Sequence, residues 1–309
     1  MPSSVLFLIC SLIWGSTFFA ITLQLGDIAP AVSVVYRFTL ASVLLFAWCL
    51  ARGQHLMLPW RTQRWMALQG AASFAVSYIC TYSAEQYLVS ALVGLLFALM
   101  VFWNPLLSRI AFGTPIAMRT LCLSALAMCG VTMLFFHSIA GAWSELRSGG
   151  SGHFLLGLGL AIAATLASSI GNLLVIKVRE QSSNVPLTMA WSMLWGSALV
   201  ALWALLTGQT FKLPATASYW GGLVYLAVFG SVIAFAAYFT MIHRIGPQKA
   251  AYIGVATPVI SVLLSIRLEH FSPGPLEWAG MALCLASVAW ALRPQAAKAP
   301  SIPQTESAA

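Results

Sequence analysis

Ser138-Ile139-Ala140-Gly141-Ala142-Trp143-Ser144-Glu145-Leu146-Arg147-Ser148-Gly149-Gly150-Ser151-Gly152 is the longest Gly- and Ser-rich interruption of an otherwise apolar chain. Clusters of these residues between apolar runs mark loops, so this one is expected to connect two halves. Toward the N-terminus, apolar runs bounded by charges, turns and prolines predict helices at 116–137, 88–110, 65–84, 29–51 and 4–24. Toward the C-terminus they predict five more, at 153–177, 186–207, 218–243, 247–268 and 275–293. A membrane span needs about 20 largely apolar residues. The expected fold is an all-α integral membrane protein with ten transmembrane helices, divided into a first half 1–137, a connecting loop 138–152 and a second half 153–293. The tail 294–309 is expected to be disordered.

Composition points to lipid as the solvent. Of 309 residues, 60% are hydrophobic and only 7% charged, where a soluble domain carries about 25% charged residues. Twelve Trp, 17 Phe and a mean hydropathy of +0.89 exceed what one soluble core can hide. The net charge of +8 sits between apolar runs and implies no nucleic-acid partner. Cysteines 10, 49, 80, 122, 129 and 284 lie inside apolar segments with no Cys-x-x-Cys pair, and read as small packing residues. The N-terminus has no basic lead-in, and its apolar run is too long for a cleaved signal, so it is read as a first helix.

Basic residues fix the expected orientation, because positive loops stay in the cytoplasm. With both termini inside, eleven fall on that side: Arg52, Arg61, Arg64, Arg109, Arg119, Lys177, Arg179, Arg244, Lys249, Arg293 and Lys298. Only Arg147, Lys212 and Arg267 fall outside. Five spans per half require a homologous second half to be inserted upside down. Two coincidences support such a repeat. Gly15 and Pro30 are matched by Gly171 and Pro186 at an offset of 156, and Tyr78 and Tyr82 by Phe235 and Phe239 at 157.

Few residues could carry chemistry. The carboxylates Asp27, Glu85, Glu145, Glu180, Glu269, Glu277 and Glu306 all lie outside the deep part of any span. The five histidines lack metal-ligand spacing, and there is no phosphate-binding glycine loop. An enzyme, a metal site or a cofactor site is therefore not expected. Arg37 is the one charge well inside a span. An Arg at the centre of a span costs roughly 2.5–3.5 kcal/mol on insertion scales, so it must face protein, a wet cavity or an interface. It either attracts a carboxylate or closes a gate, or it snorkels as a structural residue. Tyr78, Tyr82 and Glu85 follow one face of the third span, as a substrate path or as interfacial anchors. Gln86 and Ser90 extend that polar patch. In the sixth span Gly159, Ala163, Ala167 and Gly171 form a small-residue seam at strict four-residue spacing. Ser168 and Asn172 lie on the adjacent face, the amide serving a cavity or holding helices together. Pro105 and Pro258 interrupt the fourth and ninth spans and are hinge candidates.

Trp14-Gly15-Ser16-Thr17-Phe18, Pro30 with Tyr36-Arg37-Phe38, and Ala84-Glu85-Gln86-Tyr87 leading to Ser90-Ala91 resemble the first half of EamA-type members of the drug/metabolite transporter superfamily. Phe229-Gly230-Ser231-Val232-Ile233-Ala234, Tyr238, Pro247, Ala250, Ala251, Thr257-Pro258-Val259, Glu269 and Gly280 resemble the second, so that the likeness covers nearly all of 8–293. The resemblance implies two inverted five-helix repeats, a central cavity and alternating access for small metabolites. Two departures stand out. The family usually has a proline near position 101 and an acidic residue near 112, where this chain has Val101 and Phe112, with Pro105 one turn later. Small four-helix relatives couple to protons through a glutamate in their first helix, and the first span here has no acidic residue.

The expected protein is an inner-membrane exporter of small metabolites such as amino acids or drugs, in contact with lipid and a small-molecule substrate. Its cavity candidates are Trp14, Arg37, Tyr78, Tyr82, Glu85, Trp103, Asn172 and Tyr238. Aromatic faces would take the apolar part of a substrate and Arg37 its carboxylate. The alternatives are an uptake carrier, a channel, or a non-transporting sensor or scaffold. Substrate, coupling ion and oligomeric state are not legible in the sequence.

Overall fold

The structure is a computed structural model that describes residues 1–26, 28–88, 90–147, 153–268 and 273–293. Its helices are α1 (Ser3–Thr22), α2 (Pro30–Ala51), α3 (60–84), α4 (90–112), α5 (Met118–Leu134), α6 (Phe136–Arg147), α7 (His153–Gln181), α8 (Val185–Leu206), α9 (Ala217–Ala250), α10 (Ile253–Leu268) and α11 (Pro275–Leu292). Ten of these answer to the expected spans, with α7 to α11 as the sixth to tenth. Seven are long and apolar enough to cross a membrane by length and composition. α5 and the apolar part of α10 are shorter, and α3 opens on the polar run Trp60-Arg61-Thr62-Gln63-Arg64. Large apolar side chains such as Val43, Trp48, Leu202, Trp203, Leu205 and Trp290 cover the outside. In water such a surface would aggregate; in lipid it is the solvated face.

The stretch 138–152 departs from expectation. Residues up to Arg147 form α6, which follows α5 after a break at Phe135 (φ −115°, ψ 19°). Ala, Leu, Glu and Arg are strong helix formers, and Phe136, Ile139 and Trp143 give the segment an exposed apolar stripe. Gly141 lies within this helix, and residues 148–152, like the tail 294–309, lie outside the described residues. The ninth span also differs. Gly246 (φ 80°, ψ 161°) breaks α9, and Pro247 and Ala251–Tyr252 lead into α10, which starts at Ile253 instead of 247.

The two halves pack alike. α2 lies against α8, and α5 against α11; α3 meets α7 as α9 meets α1, and α1 meets α10 as α7 meets α4. Pro30 opens α2 and Pro186 opens α8, where a missing N–H costs nothing. Wide i→i+5 turns interrupt α3 at Ala71–Val76 and α9 at Leu226–Ile233; shifting the first by 156 residues lays it inside the second. At the same offset, Ala98 of α4 corresponds to Gly254 of α10, and there the two helices cross: a Cβ on Gly254 would stand 2.6 Å from the Phe97 carbonyl. With five spans in each half, α7–α11 run opposite to α1–α5.

Pro105 cannot donate to the carbonyl of Val101, one turn earlier. The Ser124 hydroxyl of α5 donates to that carbonyl at 3.0 Å, so this break is satisfied by a neighbour. Ser124→Ala is expected to destabilise the protein by about 1–3 kcal/mol, the cost of a buried unpaired group. Adding Pro105→Ala, which supplies an N–H at position 105, should recover part of the loss in thermal unfolding.

The expected seam of α7 is corrected by the packing. Gly159 and Ala163 are exposed, and a Cβ on Gly159 would meet nothing within 4 Å. Four residues turn a helix by about 400°, so a strict four-residue stripe drifts about 40° per step. The face that is packed runs through Gly157, Ala161, Ala164, Ser168 and Gly171. Gly157 lies against Tyr87 and Leu88, Ala161 and Ala164 are fully buried, and Gly171 lies against Ser73.

Candidate functional site

A cavity with about 740 Å³ of atom-free space, its open mouth included, lies among α1, α2, α3, α4, α7, α9 and α10. Its lining runs from mid-helix toward the end of the bundle where α1 finishes and α2 begins, through Ile21, Thr81, Phe18 and Arg37. Trp14, Arg37, Tyr78, Asn172 and Tyr238 all line it. The remaining wall is apolar or weakly polar, with Phe97, Met100, Phe235, Ile253, Thr17, Ser73, Ser168 and Thr257. Arg37 is the only charged residue among the described lining residues.

The wide turn of α9 holds two of these groups. Trp14 Nε1 donates to the Gly230 carbonyl at 3.1 Å. Arg37 Nε donates to Ser231 Oγ at 3.0 Å, and Ser231 in turn donates to the Leu226 carbonyl at 2.9 Å. Gly230 is needed for this approach, since a Cβ there would lie 2.9 Å from Thr17 Cγ2 and 3.1 Å from Arg37 Nη2. The guanidinium lies 4.8 Å from the Tyr78 ring centroid, and its Nη1 donates to the Tyr82 hydroxyl at 3.4 Å. Tyr82 passes a hydrogen bond to Gln24 Oε1 at 2.9 Å. Arg37 is 1% exposed, so it does not snorkel.

Across the cavity Asn172 Nδ2 donates to the Tyr238 hydroxyl at 3.0 Å, and the Tyr238 ring stands edge-on to Trp14 at 4.9 Å. Three expected residues lie off the wall. Tyr82 is fully buried behind Arg37, and Glu85 is buried at the C-terminal cap of α3. Trp103 ties α4 to α7 by donating to Thr165 Oγ1 at 3.1 Å. Gln86 is exposed, and the side chain of Ser90 lies outside the described set. Pro258 deprives the Gly254 carbonyl of its helical donor at the cavity wall, where Thr257 Oγ1 is buried without a partner among the described residues. The described residues hold no group of three His, Cys, Asp or Glu able to bind a metal.

Sequence reasoning missed Ser231 and Gln24, which position Arg37 and Tyr82. Their polarity in apolar surroundings was a signal for both, and Ser231 also lies in the family-like stretch Phe229–Ala234. A second, smaller cavity of about 320 Å³ lies toward the opposite end, by Gln69, Arg179, Thr188, Ser192, Phe239 and His243. Rings of Phe74, Phe235 and Phe239 separate the two, with centroids 4.9 Å apart for Phe74–Phe235 and 5.5 Å for Phe235–Phe239.

A polytopic helical bundle in two repeats around an intramembrane cavity defines the class of membrane transporters. The chain matches the EamA-like transporter family over residues 1–136 and 155–293, and it belongs to that family. It is 28% identical over 280 residues to an uncharacterized inner membrane transporter of Escherichia coli K12, YedA, covering 90% of this chain and 86% of that one. An uncharacterized transporter of Synechocystis is 21% identical over 291 residues, covering 89% and 85%. A crystal structure of another protein shares the fold at a TM-score of 0.70 and 21% identity, over 94% of this chain and 96% of that one.

Proposed function

We propose that this EamA-family transporter is an inner-membrane secondary carrier that exports small metabolites, such as amino acids or drugs, by alternating access through the larger cavity. The observation that carries the reading is the single cation on an aromatic wall. Trp14, Tyr78, Phe235 and Tyr238 offer ring faces and edges to an apolar body. Arg37 offers a guanidinium to a carboxylate, and Asn172 with Tyr238 orients a polar end. The layer Phe74–Phe235–Phe239 is the closed partition of this state, and its opening would join the two cavities.

The basic end of the bundle is assigned to the cytoplasm by the positive-inside rule. Contacts tie its members together: Arg244 donates to the Met1 carbonyl, Asn184 to Gln54, Arg119 to the Trp290 carbonyl, and Lys177 stands over Phe112. Both termini then lie inside, and the larger cavity faces out. Counterflow in proteoliposomes preloaded with a mixed amino-acid pool tests the reading. Saturable accumulation of one labelled amino acid at zero ion gradient is the expected result. Non-saturable entry would make the protein a channel, and no flux of any amino acid or hydrophobic drug would leave a scaffold.

A further inference from the structure

Behind Arg37, three buried polar atoms have no hydrogen-bond partner among the described residues: both carboxyl oxygens of Glu85 and Nε2 of Gln24. Glu85 is 8% exposed and Gln24 1%. Glu85, which caps the C-terminus of α3, follows Tyr82 by three residues, so their side chains share a face, and Tyr82 joins Gln24 to Arg37. A cation and a carboxyl thus share one buried cluster without a direct ion pair. Among the described residues, the charged and titratable groups around Glu85 are Arg37 from α2 and Tyr78 and Tyr82 from α3. Among the described residues, the turn after α1 presents the amide of Gln24, and His153 of α7 stands over Tyr87.

A carboxylate buried without hydrogen bonds is costly, and a proton on it removes most of that cost. The opposing effect is the field of Arg37. With nothing anionic before the guanidinium, that field favours ionised Glu85 as an internal counter-charge. An anion seated on Arg37 cancels the field and repels the carboxylate, so the neutral acid wins.

We infer that Glu85 is the proton-binding carboxyl of the transport site, holding its proton more tightly when Arg37 binds an anionic substrate group than when it does not. The inference rests on the reading of Arg37 as an anion site. One proton accompanies each carboxylate in the same direction, with no other bond made or broken. An inward proton gradient then favours uptake, whereas a carboxylate in excess inside leaves together with its proton.

The test is infrared difference spectroscopy of the full-length protein in nanodiscs, with benzoate as the carboxylate probe and calorimetry to follow its binding. A carbonyl band of a neutral carboxylic acid should appear on acidification, grow when benzoate is added at neutral pH, and be missing from Glu85→Gln. Benzoate affinity should fall about tenfold from acid to alkaline buffer in the wild type, the effect of a one-unit linked shift, and stay constant in Glu85→Gln. If that variant does not fold, Glu85→Asp, which moves the band without removing it, makes the same assignment. Benzoate that binds without changing the band, or an unchanged band in the variants, overturns the proton site. Absence of benzoate binding overturns the anion-site reading and the coupling built on it together.

Discussion

Arg37→Ala is expected to lower counterflow by at least about tenfold per folded molecule, the loss of roughly 1.4 kcal/mol of substrate binding, while exposed Arg293→Ala leaves it near wild type. The mutation removes two charge-assisted hydrogen bonds, to Ser231 and Tyr82, and a contact with the Tyr78 ring. Hydrogen bonds to charged groups contribute about 1.5–3 kcal/mol each. Against this stands relief of an intramembrane Arg that costs roughly 2.5–3.5 kcal/mol, leaving a net change between about −0.5 and 3.5 kcal/mol. Arg37→Lys separates charge from geometry, because an ammonium cannot span Ser231 and Tyr82 as a planar fork does. Partial transport in Lys and none in Ala would assign the charge to substrate. Equal losses in Arg37→Ala and Arg293→Ala would mean that Arg37 has no special part in transport.

The largest loss of stability is expected from Gly70→Val. A Cβ there would collide with the Ser192 carbonyl of α8 and stand 3.0 Å from the Gly196 nitrogen. On the other side, a Cβ at Gly196 would stand 2.8 Å from the Gly70 carbonyl and 2.6 Å from Phe74 Cβ. Two backbones touch at this crossing, so no side chain can rotate out of the way. Overpacking typically costs about 1–3 kcal/mol and more where backbone must shift. Gly159→Val is the matched control, since its β-branched penalty is the same and nothing lies within 4 Å. A thermal unfolding midpoint in detergent far below that of the control is the expected result. Equal midpoints would mean that α3 and α8 are not in contact. Because α3 also carries Tyr78 and Tyr82, transport should fail with the fold.

The spans were legible because lipid imposes length and apolarity on every one of them. Polarity also marked Arg37 and Asn172, which the fold brings to one cavity, and the aromatic residues Trp14, Tyr78 and Tyr238 with them. What the sequence hides is facing. Tyr82 and Glu85 share a helical face with Tyr78, yet Arg37 comes between them and the cavity, and only the tertiary packing of α2 on α3 decides this. Trp103 was expected at the cavity and points to α7 instead. The seam through Gly159 failed for a simpler reason, since spacing by four and a period of 3.6 diverge within three turns. Gly141 and the glycines of 149–152 concealed α6, although most of Phe136–Arg147 is compatible with a helix.

The widened turns in α3 and α9 bear on ancestry. Each amounts to one residue inserted into an ordinary helix, and the two occupy matching places 156 residues apart. A single insertion inherited by both halves accounts for them more simply than two independent events. The gene of a half-length forebear would have carried that insertion before it was duplicated. Such a forebear could build this architecture only from two copies lying head to tail in opposite senses across the bilayer, and fusion of the copies would have freed each to diverge. The Arg37–Ser231 bond fits that freedom, because the matching positions 156 residues away, Met193 and Ala75, cannot make its counterpart.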